Sequence, residues 1–172
     1  ENNADITVKA FEGIKTDKKL LIAGGANYNS RFITDLMKTT DPRIKFLGPI
    51  YTPGHIKELH CGAYAYVHGN EVGGTNPALL KALGYGNCVL AYNGVYNTEV
   101  VGPAALLYEK SVEDLREKMQ FIVDRPETAK DYRKKAVERI KEHYTWDKIT
   151  AGYERMFKNI ITNYYKINKE SD

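Results

Sequence analysis

Apolar positions along this chain switch repeatedly between two periods. From Asn3 to Lys15 they fall at Ile6, Ala10, Phe11 and Ile14, the spacing of one helical face, with Asn2, Asn3 or Asp5 as caps. Lys19-Leu20-Leu21-Ile22-Ala23 is a short apolar run stopped by Gly24-Gly25, which predicts a buried parallel strand over 20–23. A helix is expected from Ser30 to Thr40, with Phe32, Ile33, Leu36 and Met37 on one face. The alternation continues with a strand over 44–47, a helix from Pro53 to His60, a strand over 64–67 and a helix from Asn76 to Tyr85. Strands over 87–91 and 105–108 follow. From Ser111 onward the pattern is helical: Ser111-x-x-Asp114 has the form of a capping box, a second helix follows Pro126, and a third starts near Trp146 and fills 145–170.

Strands alternating with helices across short loops predict an α/β fold: one doubly wound parallel sheet, Rossmann-like, with helices on both faces. Ligands in such sheets bind beyond the carboxyl ends of the strands. Three loops therefore matter: Gly24-Gly25-Ala26, Gly48-Pro49-Ile50-Tyr51, and His68 to Pro77.

Composition narrows the classes. The 172 residues are 42% hydrophobic and 27% charged, a globular balance, and no apolar run approaches the ~18 residues needed to span a bilayer. Cys61 and Cys88 are the only cysteines, which excludes a disulfide scaffold and a cysteine-built zinc site. A net charge of +3 is too small to argue for nucleic acid. Thirteen tyrosines supply amphipathic surface for a partner or a membrane edge, and a chain opening on Glu rather than Met is expected to be a fragment.

Chemistry concentrates in His68-Gly69-Asn70-Glu71-Val72-Gly73-Gly74-Thr75-Asn76-Pro77. Gly73 and Gly74 let backbone approach a ligand closely, Pro77 suits a first helical turn, and Thr75 or Asn76 would cap the helix. The free N–H groups and positive dipole end of that helix favour a phosphate. Neither a Walker loop nor the G-x-G-x-x-G dinucleotide spacing is present. His55 and His60 lie about 140° apart around a helix and share no metal-binding face. No Asp-x-Asp occurs, nor any Ser/His/Asp or Cys/His constellation, and His68 reads as a core histidine satisfied by backbone.

The block from Gly73 through Asn76 and Lys81 to Ala91 resembles the donor-binding motif of retaining glycosyltransferases of the group 1 family, which have two facing Rossmann-like domains (the GT-B type). Its Val-Gly-Gly-Thr-Asn-Pro wording is similar to a subgroup of rhamnosyltransferases of bacterial surface polysaccharides. The resemblance implies one nucleotide-sugar-binding domain over 1–172, the C-terminal half of a larger enzyme. An opening strand with a basic residue for the diphosphate, and an N-terminal acceptor domain, would precede Glu1, and the fragment alone would be inactive.

By that resemblance the donor lies against Gly24, Gly25, Ile50, Tyr51, Gly73, Gly74, Thr75, Asn76 and Lys81, with no metal and no cofactor beyond the nucleotide-diphospho-sugar itself. Tyr51 would stack on the base, and Glu99 matches a loop near the donor. The family places two glutamates eight positions apart, which fall here on Gly73 and Lys81. Glu71 is the one candidate to replace the first as a catalytic group, and a lysine cannot accept hydrogen bonds from a ribose diol as a carboxylate does. Lys81 is expected in the first turns of its helix, facing the crevice. The acceptor implied is a glycan or lipid-linked sugar, and the place a cytoplasmic one at the inner face of the membrane. The terminal helix, with Tyr153, Phe157, Ile160, Ile161, Tyr164 and Tyr165 on one stripe, would pack on this domain or cross to the absent one. Two further readings stay open: half of a sugar-nucleotide epimerase, and a non-catalytic binding domain whose donor site has decayed at Lys81.

Overall fold

In the computed structural model, which describes residues 2–25 and 31–169, five strands and eight α-helices alternate as the apolar periods require. They are α1 (Ala4–Glu12), β1 (Leu20–Ala23), α2 (Arg31–Leu36), β2 (Ile44–Gly48), α3 (His55–Gly62), β3 (Ala65–His68), α4 (Pro77–Gly84), β4 (Cys88–Tyr92), α5 (Val95–Val101), β5 (Ala105–Tyr108), α6 (Val112–Asp124), α7 (Pro126–His143) and α8 (Trp146–Lys169). Ala26, Ser30 and the side chains of Tyr164 and Tyr165 lie outside what is described.

Every strand pairing is parallel, but the strands form two ladders where one was expected. β1 pairs with β2, in register Leu20 to Ile44 and Ile22 to Phe46, and β3-β4-β5 form a second sheet with Val67 opposite Leu90 and Leu90 opposite Leu106. Among the described residues no ladder joins the two, because no strand lies between them to carry the hydrogen bonds.

The core is organised by β4. Its side chains alternate between faces: Cys88 and Leu90 join Val8, Phe11, Leu115, Met119 and Ile122 from α1 and α6. Val89 and Ala91 join Leu79, Ala82, Leu83, Val100, Val101 and Ala136 from α4, α5 and α7. A strand with neighbours on both edges and helices on both faces loses all its water, and residues 88–91 are fully buried.

Local chemistry sets the boundaries, with two departures from expectation. Asn3 stands at the N-cap of α1 in the left-handed region (φ 50°), yet its side chain does not cap; it donates instead to the Gly69 carbonyl at 2.8 Å. In α6 the Ser111 hydroxyl accepts from the amides of Glu113 and Asp114, each at 3.2 Å. The short Asp114 carboxylate completes no reciprocal box and takes the Glu109 amide at 2.8 Å instead. The Arg43 guanidinium pins the segment that leaves α1, donating to the carbonyls of Ile14 at 2.9 Å and Thr16 at 3.1 Å while gripping the Asp41 carboxylate at 2.6 Å. That grip lowers the Asp41 pKa.

One helix is unforeseen. Val95–Val101 is rich in β-branched residues and follows a strand, so local preference speaks against α5. Tertiary contacts override it: Arg139 on α7 donates to the carbonyls of Glu99 at 2.7 Å and Val100 at 3.0 Å, which closes the last turn of α5. This places Glu99 with its carbonyl turned to α7. The terminal helix is the opposite case. Trp146, Tyr153, Phe157, Ile160 and Ile161 all stay exposed, so α8 does not bury its stripe against this domain.

Candidate functional site

The carboxyl end of β3 leads into a loop with two different halves. Four consecutive residues, His68 to Glu71, are each held by a different element. The Tyr108 hydroxyl donates to the His68 carbonyl at 3.4 Å, Asn3 to the Gly69 carbonyl at 2.8 Å, and Asn97 to the Asn70 carbonyl at 2.8 Å. The Lys110 ammonium meets the Glu71 carboxylate at 2.6 Å. Gly69 is required here, because a Cβ would come within 2.1 Å of the Asn2 carbonyl oxygen. Beyond Glu71 the chain is released. Val72 to Thr75 are exposed, and Gly73 takes φ +121° with open space around it.

The loop ends at Asn76, whose side-chain oxygen accepts the Ala78 amide at 2.9 Å and so caps α4, with Pro77 in the first helical position. Of the two cap residues considered, Asn76 is the one used. Asn70, Glu71, Val72, Gly73, Gly74 and Asn76 then form one wall of a small cleft, and Gly94, Tyr96 and Asn97 at the start of α5 form the other. The cleft thus adjoins the N-terminal end of α4, the end of a helix that favours an anion.

The expected site residues fall into groups. Glu71, Gly73, Gly74 and Asn76 share this cleft. Thr75 is exposed beside it. Gly24 and Gly25 sit at the end of β1 against the β2 loop: the Gly24 amide donates to the Gly48 carbonyl at 2.8 Å, and Gly25 lies under Pro49. Gly24 (φ +122°) and Gly48 (φ +67°) both need glycine's freedom at that crossing. Ile50 is half-buried and Tyr51 is 83% exposed, its ring free for a ligand. Lys81 stands apart from these groups. α4 has only eight residues, so position 81 falls in its last turn, exposed and outside the cleft lining.

Electrostatics separates neighbours. The Lys110 hydrogen bond, joined by Asn3, lowers the Glu71 pKa, so this carboxylate is ionised and engaged. His68 is buried, and burial alone pushes its pKa down to about 4. Backbone does not satisfy its ring as expected: Nδ1 faces the Tyr66 hydroxyl at 3.5 Å, and Nε2 has no partner among the described residues. His60 is structural, its Nδ1 at 2.7 Å from the Asn87 side-chain oxygen and its ring stacked on Tyr85. Among the described residues no three His, Cys, Asp or Glu side chains gather as a metal set. The residues that sequence reasoning missed, Asn3, Tyr96, Asn97 and Lys110, come from three separate elements. Only the Asn93-Gly94 turn signal after β4 marks any of them locally.

Residues 1–139 match the family model described as glycosyl transferases group 1. The chain belongs to that family. Among curated proteins no relative matches it. Solved structures do: sucrose-phosphate synthase from Thermosynechococcus elongatus superposes with a TM-score of 0.77 at 19% identity, covering 94% of this chain and 43% of that one. HepE from Anabaena, determined in complex with UDP and glucose, gives 0.76 at 15% identity, covering 90% and 44%. The C-terminal domain of the group 1 protein LpcC from Francisella tularensis gives 0.72 at 15%, covering 84% and 79%. At these identities the likeness establishes the fold, the Rossmann-like domain of GT-B glycosyltransferases. This group 1 domain spans less than half of the sucrose-phosphate synthase and HepE chains.

Proposed function

We propose that this domain binds the nucleotide-diphosphate sugar donor of a retaining glycosyltransferase of bacterial surface polysaccharide synthesis, a rhamnosyltransferase drawing on dTDP-rhamnose. The observation that carries the reading is the Gly73-Gly74 loop opening onto the capped N-terminus of α4 in a cleft at the carboxyl end of a parallel strand. The donor diphosphate lies on the amides of Gly74, Thr75 and Asn76, and Tyr51 covers the base. Helix amides stabilise the leaving diphosphate, with no metal in that role. HepE, a structural neighbour, was determined with UDP and glucose, which supports the ligand class.

The rest of the enzyme lies outside these residues. An upstream strand fits between β1 and β3. Right-handed connection through α1 puts it on the edge of β1 that β2 leaves free, and Asn2 and Asn3 already lie against Gly69 at the end of β3. A facing N-terminal domain supplies the acceptor, a glycan or lipid-linked sugar at the cytoplasmic face of the membrane. No described helix is long and apolar enough to cross that membrane. The exposed stripe of α8 then packs on the facing domain.

Calorimetric titration of this chain with dTDP, UDP and GDP, with and without a chelator, tests the reading. Binding of one nucleotide, unchanged by the chelator, is expected. Binding that disappears with the chelator contradicts the metal-free site, and no binding by any nucleotide identifies a decayed donor site. In a longer protein that carries the upstream half, the anomeric configuration of the product checks retention.

A further inference from the structure

The clamped half of the β3–α4 loop does something its free half cannot do for itself. Gly73 and Gly74 have no side chains to hold a conformation, and nothing packs around Gly73. Their stance depends on where the preceding residue is fixed. Glu71 is that residue, the last in the loop with a directional side-chain contact before the glycines. Its carboxylate is held by Lys110, from the turn between β5 and α6, at 2.6 Å. Asn3, from the lead-in to α1, takes the Gly69 carbonyl. The Glu71 side chain and the Gly69 carbonyl thereby tie the root of a glycine hinge to two segments that are far from it in sequence.

We propose that Lys110 is a positioning residue for the nucleotide site: through Glu71 it fixes the root of the glycine loop, so that the amides of Gly74 and Thr75 are already aimed when the diphosphate arrives. The proposal rests on the donor-site reading above and adds a role to it. Glu71, gripped on its carboxylate, serves the loop and makes no contact with the donor sugar. Preorganisation of this kind acts on affinity, because a loop ordered in advance does not have to be ordered by the ligand.

Two variants that leave Glu71 in place provide the test. Lys110→Met is expected to weaken nucleotide binding about threefold, the size of coupling common for exposed ion pairs, and to shift the amide resonances of Gly73, Gly74 and Thr75 in the free protein. Lys110→Arg should retain most of the affinity and the wild-type resonances. The Lys110→Met, Glu71→Gln double variant should bind no worse than Glu71→Gln alone, because Lys110 acts only through Glu71. Unchanged amide resonances in Lys110→Met, or double-variant losses that simply add, would overturn the proposal. The resonances are read without ligand. They therefore report on the clasp even where no nucleotide binds the wild type, an outcome that would count against the donor site itself.

Discussion

The two ladders make a comparison within one chain. Both are parallel, both alternate with helices, and both draw on aliphatic residues, Leu and Ile in β1-β2, Val and Leu in β3-β4-β5. In the β3-β4-β5 half, β4 is buried on both faces, and α4 and α7 press their apolar residues against it. In the β1-β2 half, Leu21 is 47% exposed and Leu47 41%, and α2 does not bury a single residue. Similar strand sequences thus reach different states, because burial depends on how many neighbours a strand has. The division also falls across the site. The glycine loop and α4 stand on the dry half, whereas Gly48-Pro49-Ile50-Tyr51 stands on the half that still exposes apolar side chains.

The largest expected break in this comparison is a paired truncation. Leu90→Ala, in the fully buried strand, should cost about 2–5 kcal/mol in urea unfolding, and Leu21→Ala less than about 1 kcal/mol. Equal losses would mean that the two halves are equally packed. Acid should act next, in the dry half through His68. The His68 pKa is pushed down to about 4, below its value in an unfolded chain, so the unfolded state takes up its proton first. Its contribution is complete above about pH 6.5, fades as pH falls, and is gone below about 4, a swing on the order of 3 kcal/mol. His68→Gln should flatten the stability profile across that window; an unchanged profile would remove His68 as its source.

Glycine substitutions sharpen the contrast at a smaller scale. At Gly69 a methyl group would meet the Asn2 carbonyl oxygen, so Gly69→Ala should cost roughly 1–3 kcal/mol and displace the lead-in to α1. Gly25→Ala, with only Pro49 at ordinary contact distance, should be nearly silent in the same thermal melt. Asn76→Ala removes the cap of α4 and should cost about 1 kcal/mol, visible as a lower melting temperature. The smallest structural effect belongs to Lys81→Glu, on an exposed position. If that position holds ribose hydroxyls, the carboxylate tightens nucleotide binding about tenfold, the worth of one charge-assisted hydrogen bond after desolvation. An unchanged affinity by calorimetry takes Lys81 out of the site.

The sequence by itself determined the α/β alternation, because period is a local property. The 20–23 and 105–108 strands and the Pro77 and Pro126 helix starts stand where apolar spacing, glycine and proline place them. It also marked the glycine loop, since Gly73-Gly74 followed by Asn76-Pro77 is a contiguous signal. What only the tertiary structure decided is everything that depends on which segments meet. α5 forms against its own β-branched composition because Arg139 closes its last turn from about forty positions away. Asn3 abandons its cap for Gly69, Glu71 is taken by Lys110, and His68 keeps one ring nitrogen unpartnered in the core. Lys81 is exposed and lies outside the cleft lining. Even the split of the sheet is of this kind: each strand's residues show that it is a strand, and none shows which edges will find a partner.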